Sequence, residues 1–301
     1  MFSNRYIFIY ATILVVVIAA LLSTTAKYLQ PFQERNTRIE KIQDILKSAG
    51  IASTRANAED LFNKYIVEQL LIDRRGNLVS DERRAFNINL RDELRRLQDL
   101  EAGRSNVEPV FPLFVSEYNG QILFIVPTLG SGLWGPLWGY VAFESDFNTI
   151  AGVVFDHKGE TPGLGSQVAE RWFHEQFMGK RIFDNEENFK SVALVKGGVA
   201  NSPIPNEHGV DALTGGTVTS DGLSEMIRIS LTNYVPFFKN QRREIIEIER
   251  QRIIQDSIAK EIELQVLAQA EEAEQARQRA IWRARQQALE TEKTEENNLN
   301  E

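Results

Sequence analysis

Asp211-Ala212-Leu213-Thr214-Gly215-Gly216-Thr217, continued by Val218-Thr219-Ser220-Asp221-Gly222, sets two adjacent glycines between two hydroxyl side chains. The amphipathic run Leu223-Ser224-Glu225-Met226-Ile227-Arg228-Ile229-Ser230-Leu231 follows. That order reads as a loop and then a helix N-terminus. The first N–H groups of a helix lack intrahelical acceptors and carry the positive end of its dipole, which suits a phosphate. Gly215 and Gly216 let the backbone approach such a group closely. The same residues also describe a capped helix start that needs no ligand. On their own they leave both readings open.

Upstream of this stretch the composition changes near Pro109, and sixteen of the nineteen glycines lie between Gly120 and Gly222. Turns and close backbone approaches therefore concentrate there. Leu113–Tyr118, Gln121–Thr128, Trp138–Glu144, Ile150–Phe155 and Ser191–Val195 read as strands. Asn119-Gly120 between the first two is a hairpin signal. Helices are predicted at Gln167–Phe177 and Ser220–Tyr234. Strands and helices do not alternate regularly. Residues 108–238 thus read as an α+β domain with a largely antiparallel sheet and flanking helices.

Tyr6 to Ala26 carries no charge. Twenty-one helical residues rise about 31 Å, enough to cross a hydrocarbon core. A cleaved signal peptide has a shorter apolar region, so residues 1–26 read as a retained, single-pass anchor in a lipid bilayer. Arg5 precedes the span, and Lys27, Arg35, Arg38 and Lys41 follow it; this simple charge count keeps the bulk of the chain cytoplasmic. Residues 27–107 are charged and helix-rich, with Leu90, Leu94 and Leu97 at helical spacing, and read as a stalk. Beyond Pro236 there is no proline, and beyond Gly222 no glycine. Residues 239–301 therefore read as a charged helical tail, fraying and partly disordered at its polar end Thr291–Glu301. Ile246, Ile253 and Ile254 hint at a stripe, without a sustained heptad.

The net charge of −8 leaves no basic excess to neutralise phosphates and argues against nucleic acid as a partner. With no cysteine, the chain has no disulfides, thiolate metal sites or thiol nucleophile. His157, His174 and His208 are not at ligand spacing, so no metal site is predicted.

Gly130-Ser131-Gly132-Leu133-Trp134-Gly135 matches G-x-G-x-x-G, but Pro136, Trp138, Tyr140, Val141 and Phe143 follow where a dinucleotide fingerprint needs a helix. We reject NADH binding there. Trp134 and Trp138 can pack against a flat ring, or serve as core anchors. Glu160-Thr161-Pro162-Gly163-Leu164-Gly165 suits a type II turn that aims N–H groups and the Thr161 hydroxyl at a ligand edge, or is an ordinary loop. Lys196, after the Ser191–Val195 run, brings positive charge near a phosphate or is simply solvated.

Three stretches stand in one order behind an N-terminal span. They are Gly132-Leu133-Trp134-Gly135-Pro136-Leu137-Trp138-Gly139, Gly159-Glu160-Thr161-Pro162-Gly163-Leu164-Gly165, and Asp211-Ala212-Leu213-Thr214-Gly215-Gly216-Thr217. Together they resemble the C subunit of the sodium-translocating NADH:quinone oxidoreductase, over roughly residues 1–238. The family's attachment motif is Asp-x-x-Ser/Thr-Gly-Ala-Thr, and its last threonine carries FMN through a phosphoester. The resemblance puts that role on Thr217, with Thr214, Gly215 and Gly216 as the cradle. Glu160, Thr161, Leu164 and Trp134 would border the isoalloxazine. Lys196 would lie near the cofactor. It further implies an electron-carrying subunit, flavinylation by a flavin transferase that uses FAD and Mg²⁺, other subunits as partners, and a flavin domain on the periplasmic side of the bacterial inner membrane. Gly216 stands where the family has alanine, and nothing carries over to the tail beyond Lys239. The G subunit of the Rnf complex shares the flavin domain and attachment motif, but the Gly-Leu-Trp-Gly-Pro-Leu-Trp-Gly stretch is nearer the sodium pump. A membrane-anchored stator without flavin accounts for the charged helices and leaves the glycine-dense region unexplained.

Overall fold

Five strands form one antiparallel sheet in chain order: β1 (Ile66–Asp73), β2 (Val110–Tyr118), β3 (Gln121–Ser131), β4 (Pro136–Phe143) and β5 (Ile150–His157). The computed structural model describes residues 3–80 and 84–298. Asn119 (φ 52°) and Gly120 (φ 76°) both turn left-handed between β2 and β3, as a two-residue hairpin turn requires. The middle of β3, Leu123-Phe124-Ile125-Val126, is continuously apolar because both of its faces are covered. Ile125 packs with Phe114, Tyr140 and Ala142 on one face, and Val126 with Leu137, Val141 and Phe143 on the other.

The first face is closed by α1 (Asn4–Ser48) and α2 (Ala58–Tyr65). Within α1, the N-terminal part is long and apolar enough to cross a membrane and is exposed throughout. The same helix then buries Ile42, Ile45 and Leu46 against the sheet. Each such burial contributes about 1.5–3 kcal/mol. The stalk predicted over 27–107 therefore takes a different form. Its Ile39–Ser48 part, α2, β1 and α3 (Leu90–Glu101) belong to the folded unit, and β1 is the first strand of its sheet.

On the second face lie α4 (Arg171–Glu175), a two-stranded parallel sheet of β6 (Ala193–Val195) and β7 (Gly209–Asp211), and α5 (Thr217–Thr232). The helix predicted at 167–177 is divided into a 3₁₀ turn, Gly165–Ala169, and α4, with extended backbone at Glu170 between them. Helix α5 lies tight on β3 and the turn after it. A Cβ at Gly130 would sit 2.5 Å from Met226 Cβ, and one at Gly222 would overlap the Ser131 carbonyl oxygen.

The last helix, α6 (Val235–Asn298), begins inside the core with Phe237 and Phe238 buried. Arg242 donates to both Glu187 carboxylate oxygens and to Asp146 O. The compact unit accordingly ends at Arg242, four residues past the predicted boundary. Residues 243–301 form a second unit, with Ile246, Ile253 and Ile254 exposed. It is helical through Asn298, where the sequence predicts fraying from Thr291; residues 299–301 lie outside the described residues.

Candidate functional site

The three stretches singled out in the sequence meet at the start of α5. The chain leaves β7 at Asp211, and Leu213 is buried as a plug with its N–H donating to Ser220 Oγ at 3.1 Å. Gly215 turns left-handed (φ 72°) in contact with Leu164, and Gly216 is the residue before the helix. Thr217 is then the first residue of α5 and is exposed, as are Thr214 and Gly215. Among the described residues no side chain caps this helix. The N–H groups before Ser220 lack intrahelical acceptors and carry the positive end of the dipole.

Glu160 holds the three stretches together. It is 4% exposed. Oε1 accepts from the Trp134 N–H at 2.9 Å, and Oε2 accepts from Thr219 Oγ1 at 2.6 Å. One carboxylate thus joins the 132–135 turn, its own loop and the first turn of α5. Gly165 must be bare for the same reason: a Cβ there would lie 2.5 Å from Thr219 Oγ1 and 2.6 Å from Glu160 Oε2. A Cβ at Gly132 would collide with Glu160 Oε1. Glu160, predicted as a flavin contact, has both oxygens turned inward onto protein donors.

Trp134 is held a second time, by its Nε1–H donating to Thr161 Oγ1 at 3.1 Å, while its ring stays 66% exposed. Leu133, Leu164 and Val218 are also exposed. An apolar, partly aromatic surface therefore borders the uncapped helix end, the character expected of a seat for a flat ring. Lys196 lies in the turn after β6, and its Nζ pairs with Asp221 Oδ2 at 2.9 Å. Asp221 is one turn beyond Thr217 on the same helix face. The pair holds an ammonium beside the first turn of α5.

The Gly130–Gly135 stretch is a β-hairpin connection, closed by Gly132 N–H donating to Gly135 O at 2.7 Å. No helix begins there, in keeping with the rejected dinucleotide reading. His157 Nδ1 accepts from the Glu160 N–H, and His174 and His208 are buried. Thr219, Ser220 and Asp221 do not stand out in the sequence. Their hydroxyls and carboxylate look like ordinary first-turn residues until the fold brings Glu160 and Lys196 against them.

Exposed hydroxyl, free amides, ammonium and apolar ring surface together fit a phosphate-bearing aromatic cofactor. Residues 132–232 match a family model described as FMN-binding domain. The C subunit of the Na(+)-translocating NADH-quinone reductase of Vibrio vulnificus (strain YJ016) is 35% identical over 219 residues, covering 69% of this chain and 82% of that protein. The corresponding C subunit of Yersinia pestis is 31% identical over 249 residues, covering 77% and 92%. The crystal structure of the C subunit from Parabacteroides distasonis ATCC 8503 superposes with a TM-score of 0.61 at 37% identity, covering 70% of this chain and 96% of that one. Shewanella oneidensis NqrC gives a TM-score of 0.57 at 29% identity, covering 69% and 99%.

Proposed function

The chain belongs to the family of C subunits of the sodium-translocating NADH-quinone reductases, and on that premise we propose that Thr217 Oγ1 carries FMN as a phosphoester. It is an FMN-binding, electron-carrying subunit of a membrane oxidoreductase. The observation that supports the linkage is an exposed threonine opening a 16-residue helix whose first turn has no side-chain cap.

In the attachment step Thr217 Oγ1 forms the bond to the FMN phosphorus of FAD, the bond to the adenylate breaks, and AMP leaves. The hydroxyl proton passes to a base of the flavin transferase that catalyses the step with Mg²⁺. The exposed residues Thr214, Gly215 and Thr217 give that enzyme access. Afterwards the free amides of the first turn hold the remaining phosphate charge, with Lys196 adding to it. Trp134, fixed by Glu160 and Thr161, offers its face to the isoalloxazine, and Leu164 lines the other loop. When bound, FMN supplies the redox chemistry; this chain supplies position and electrostatics. Neighbouring subunits deliver and remove the electrons, so neither NADH nor quinone need bind to this chain. Helix α1 anchors the chain in the bacterial inner membrane as a single pass, with the flavin domain on the periplasmic side.

The test is flavin fluorescence on a denaturing gel, repeated for Thr217→Ala, together with intact mass. Native protein is expected to fluoresce and to weigh one FMN less one water above its polypeptide, and Thr217→Ala to do neither. Fluorescence that survives the substitution refutes the assignment.

A further inference from the structure

On the sheet face opposite α5, a cleft of about 630 Å³ opens between the end of α1, the segment 86–91 and strands β2–β4. Its walls are aromatic: Phe86, Phe114, Trp138 and Tyr140. Two of the polar side chains around it are spent on the protein itself. Lys41 Nζ donates to Phe86 O at 2.5 Å and lies over the Phe86 ring at 4.5 Å. Asn89 caps α3 through the Arg91 N–H. Three groups stand out, one of them Thr128 Oγ1, which is buried without a hydrogen-bond partner. Tyr140, 7% exposed, makes no hydrogen bond through its hydroxyl among the described residues, and Asp44 likewise has neither hydrogen bond nor ion pair among them. Both line the cleft, with Glu40 beside them. Unpaired polar groups lining an aromatic pocket suit a ligand site, because a bound partner can satisfy them.

We propose that this cleft binds a small organic cation bearing an aromatic ring, its ammonium paired with Asp44 and hydrogen-bonded to Tyr140, and its ring packed between Trp138 and Phe86. The sign of the ligand follows from the charges. Lys41 is turned onto Phe86, and Arg91 stands at the α3 end of the cleft. The unpaired Asp44 and Glu40 line it too, and the charge of Asp156 of β5 also acts on Asp44. Asp44 lies well beyond the apolar span. Burial first, then Asp156 and Glu40, push its carboxyl up to about 7, against the opposing pull of Lys47. A cation bound there relieves that crowding. Aromatic faces attract cations as well. This site is independent of the flavin reading, since it lies on the other face of the sheet.

The probe is 2-phenylethylammonium chloride, titrated into the full chain in detergent and followed by Trp138-dependent fluorescence and calorimetry. The uncharged 2-phenylethanol serves as the shape-matched control. We expect saturable one-to-one binding of the amine, at least roughly tenfold tighter than the alcohol, with Asp44→Asn and Tyr140→Phe each weakening the amine by about tenfold and leaving the alcohol unchanged. Near-ultraviolet circular dichroism verifies that each variant is folded; Tyr140→Phe decides the matter if Asp44→Asn is not. Equal affinity for amine and alcohol, no saturation, or unchanged amine binding in the folded variants overturns the proposal.

Discussion

Replacing Glu160 by alanine strips one buried donor and one half-buried donor of their acceptor at once. The Trp134 N–H and the Thr219 hydroxyl both end on this carboxylate, at 2.9 and 2.6 Å, in a site that is 4% exposed. Each orphaned donor costs about 1–3 kcal/mol, so the pair predicts a loss of about 2–6 kcal/mol. Water entering the vacated space offsets part of this and favours the lower half of the range. For a domain of this size, 1 kcal/mol moves the melting temperature by about 2–4 °C, so a drop of at least about 4 °C is expected. Glu160→Gln keeps an oxygen for Trp134 and presents an amide to Thr219, whose hydroxyl can accept from it. It should recover more than half of the loss. The assay is thermal unfolding by circular dichroism, paired with the rate of FMN incorporation, which should fall in Glu160→Ala because the loop flanking Thr217 is no longer fixed. A Glu160→Ala protein that melts within about 2 °C of wild type would refute the reasoning, as the carboxylate would then not be the tie between the three loops.

Three further outcomes are expected. Gly216→Ala restores the family's usual residue; its Cβ would lie 3.1 Å from Leu213 Cβ and 3.4 Å from Gly165 N. With φ at −108° and only a few tenths of an ångström to yield, stability should stay within about 1 kcal/mol by denaturant titration, and covalent flavin should be retained. Gly222→Ala should gain about 1 kcal/mol from helix propensity, but its methyl overlaps the Ser131 carbonyl; steric cost wins, and chemical denaturation should show a net loss of about 1–3 kcal/mol. Burial, with the Lys47 charge, lowers His174 to about 4, against bonds to Val168 and Phe155 and the Asp156 charge that raise it. Its folded value lies below the unfolded one, so its contribution is complete above about pH 6.5 and is lost as pH falls toward 4, by about 3 kcal/mol in total. Denaturant midpoints measured from pH 7 to 4 should fall steeply in wild type and less so in His174→Gln.

Local chemistry makes part of the fold legible. Asn119-Gly120 announces its hairpin because only a left-handed pair makes that turn, and the start of α5 follows from two glycines ahead of an amphipathic run. Strand β1 is hidden, because Ile66-Val67-Glu68-Gln69-Leu70-Leu71-Ile72-Asp73 is built of residues equally at home in a helix and sits among charged neighbours. Its pairing with β2 decides the matter, and that is a tertiary fact. At the site, Thr217, Trp134 and Leu164 emerge from motif order. Glu160 emerges too, but its inward-facing task does not, since Thr219 is 59 residues away and no periodicity connects them. Asp221, which steadies Lys196, is invisible for the same reason.

Helix α1 runs from the apolar span into the protein core as one element. Forty-five residues make a rod of about 68 Å. A cofactor domain mounted this way is carried on a mast rather than on a tether. The helix runs unbroken from the apolar span to the sheet, so residue count sets the distance between them. The one weak point is Pro31, which removes a helical hydrogen bond just past the span. A tilt of the folded unit relative to the span would act at that point.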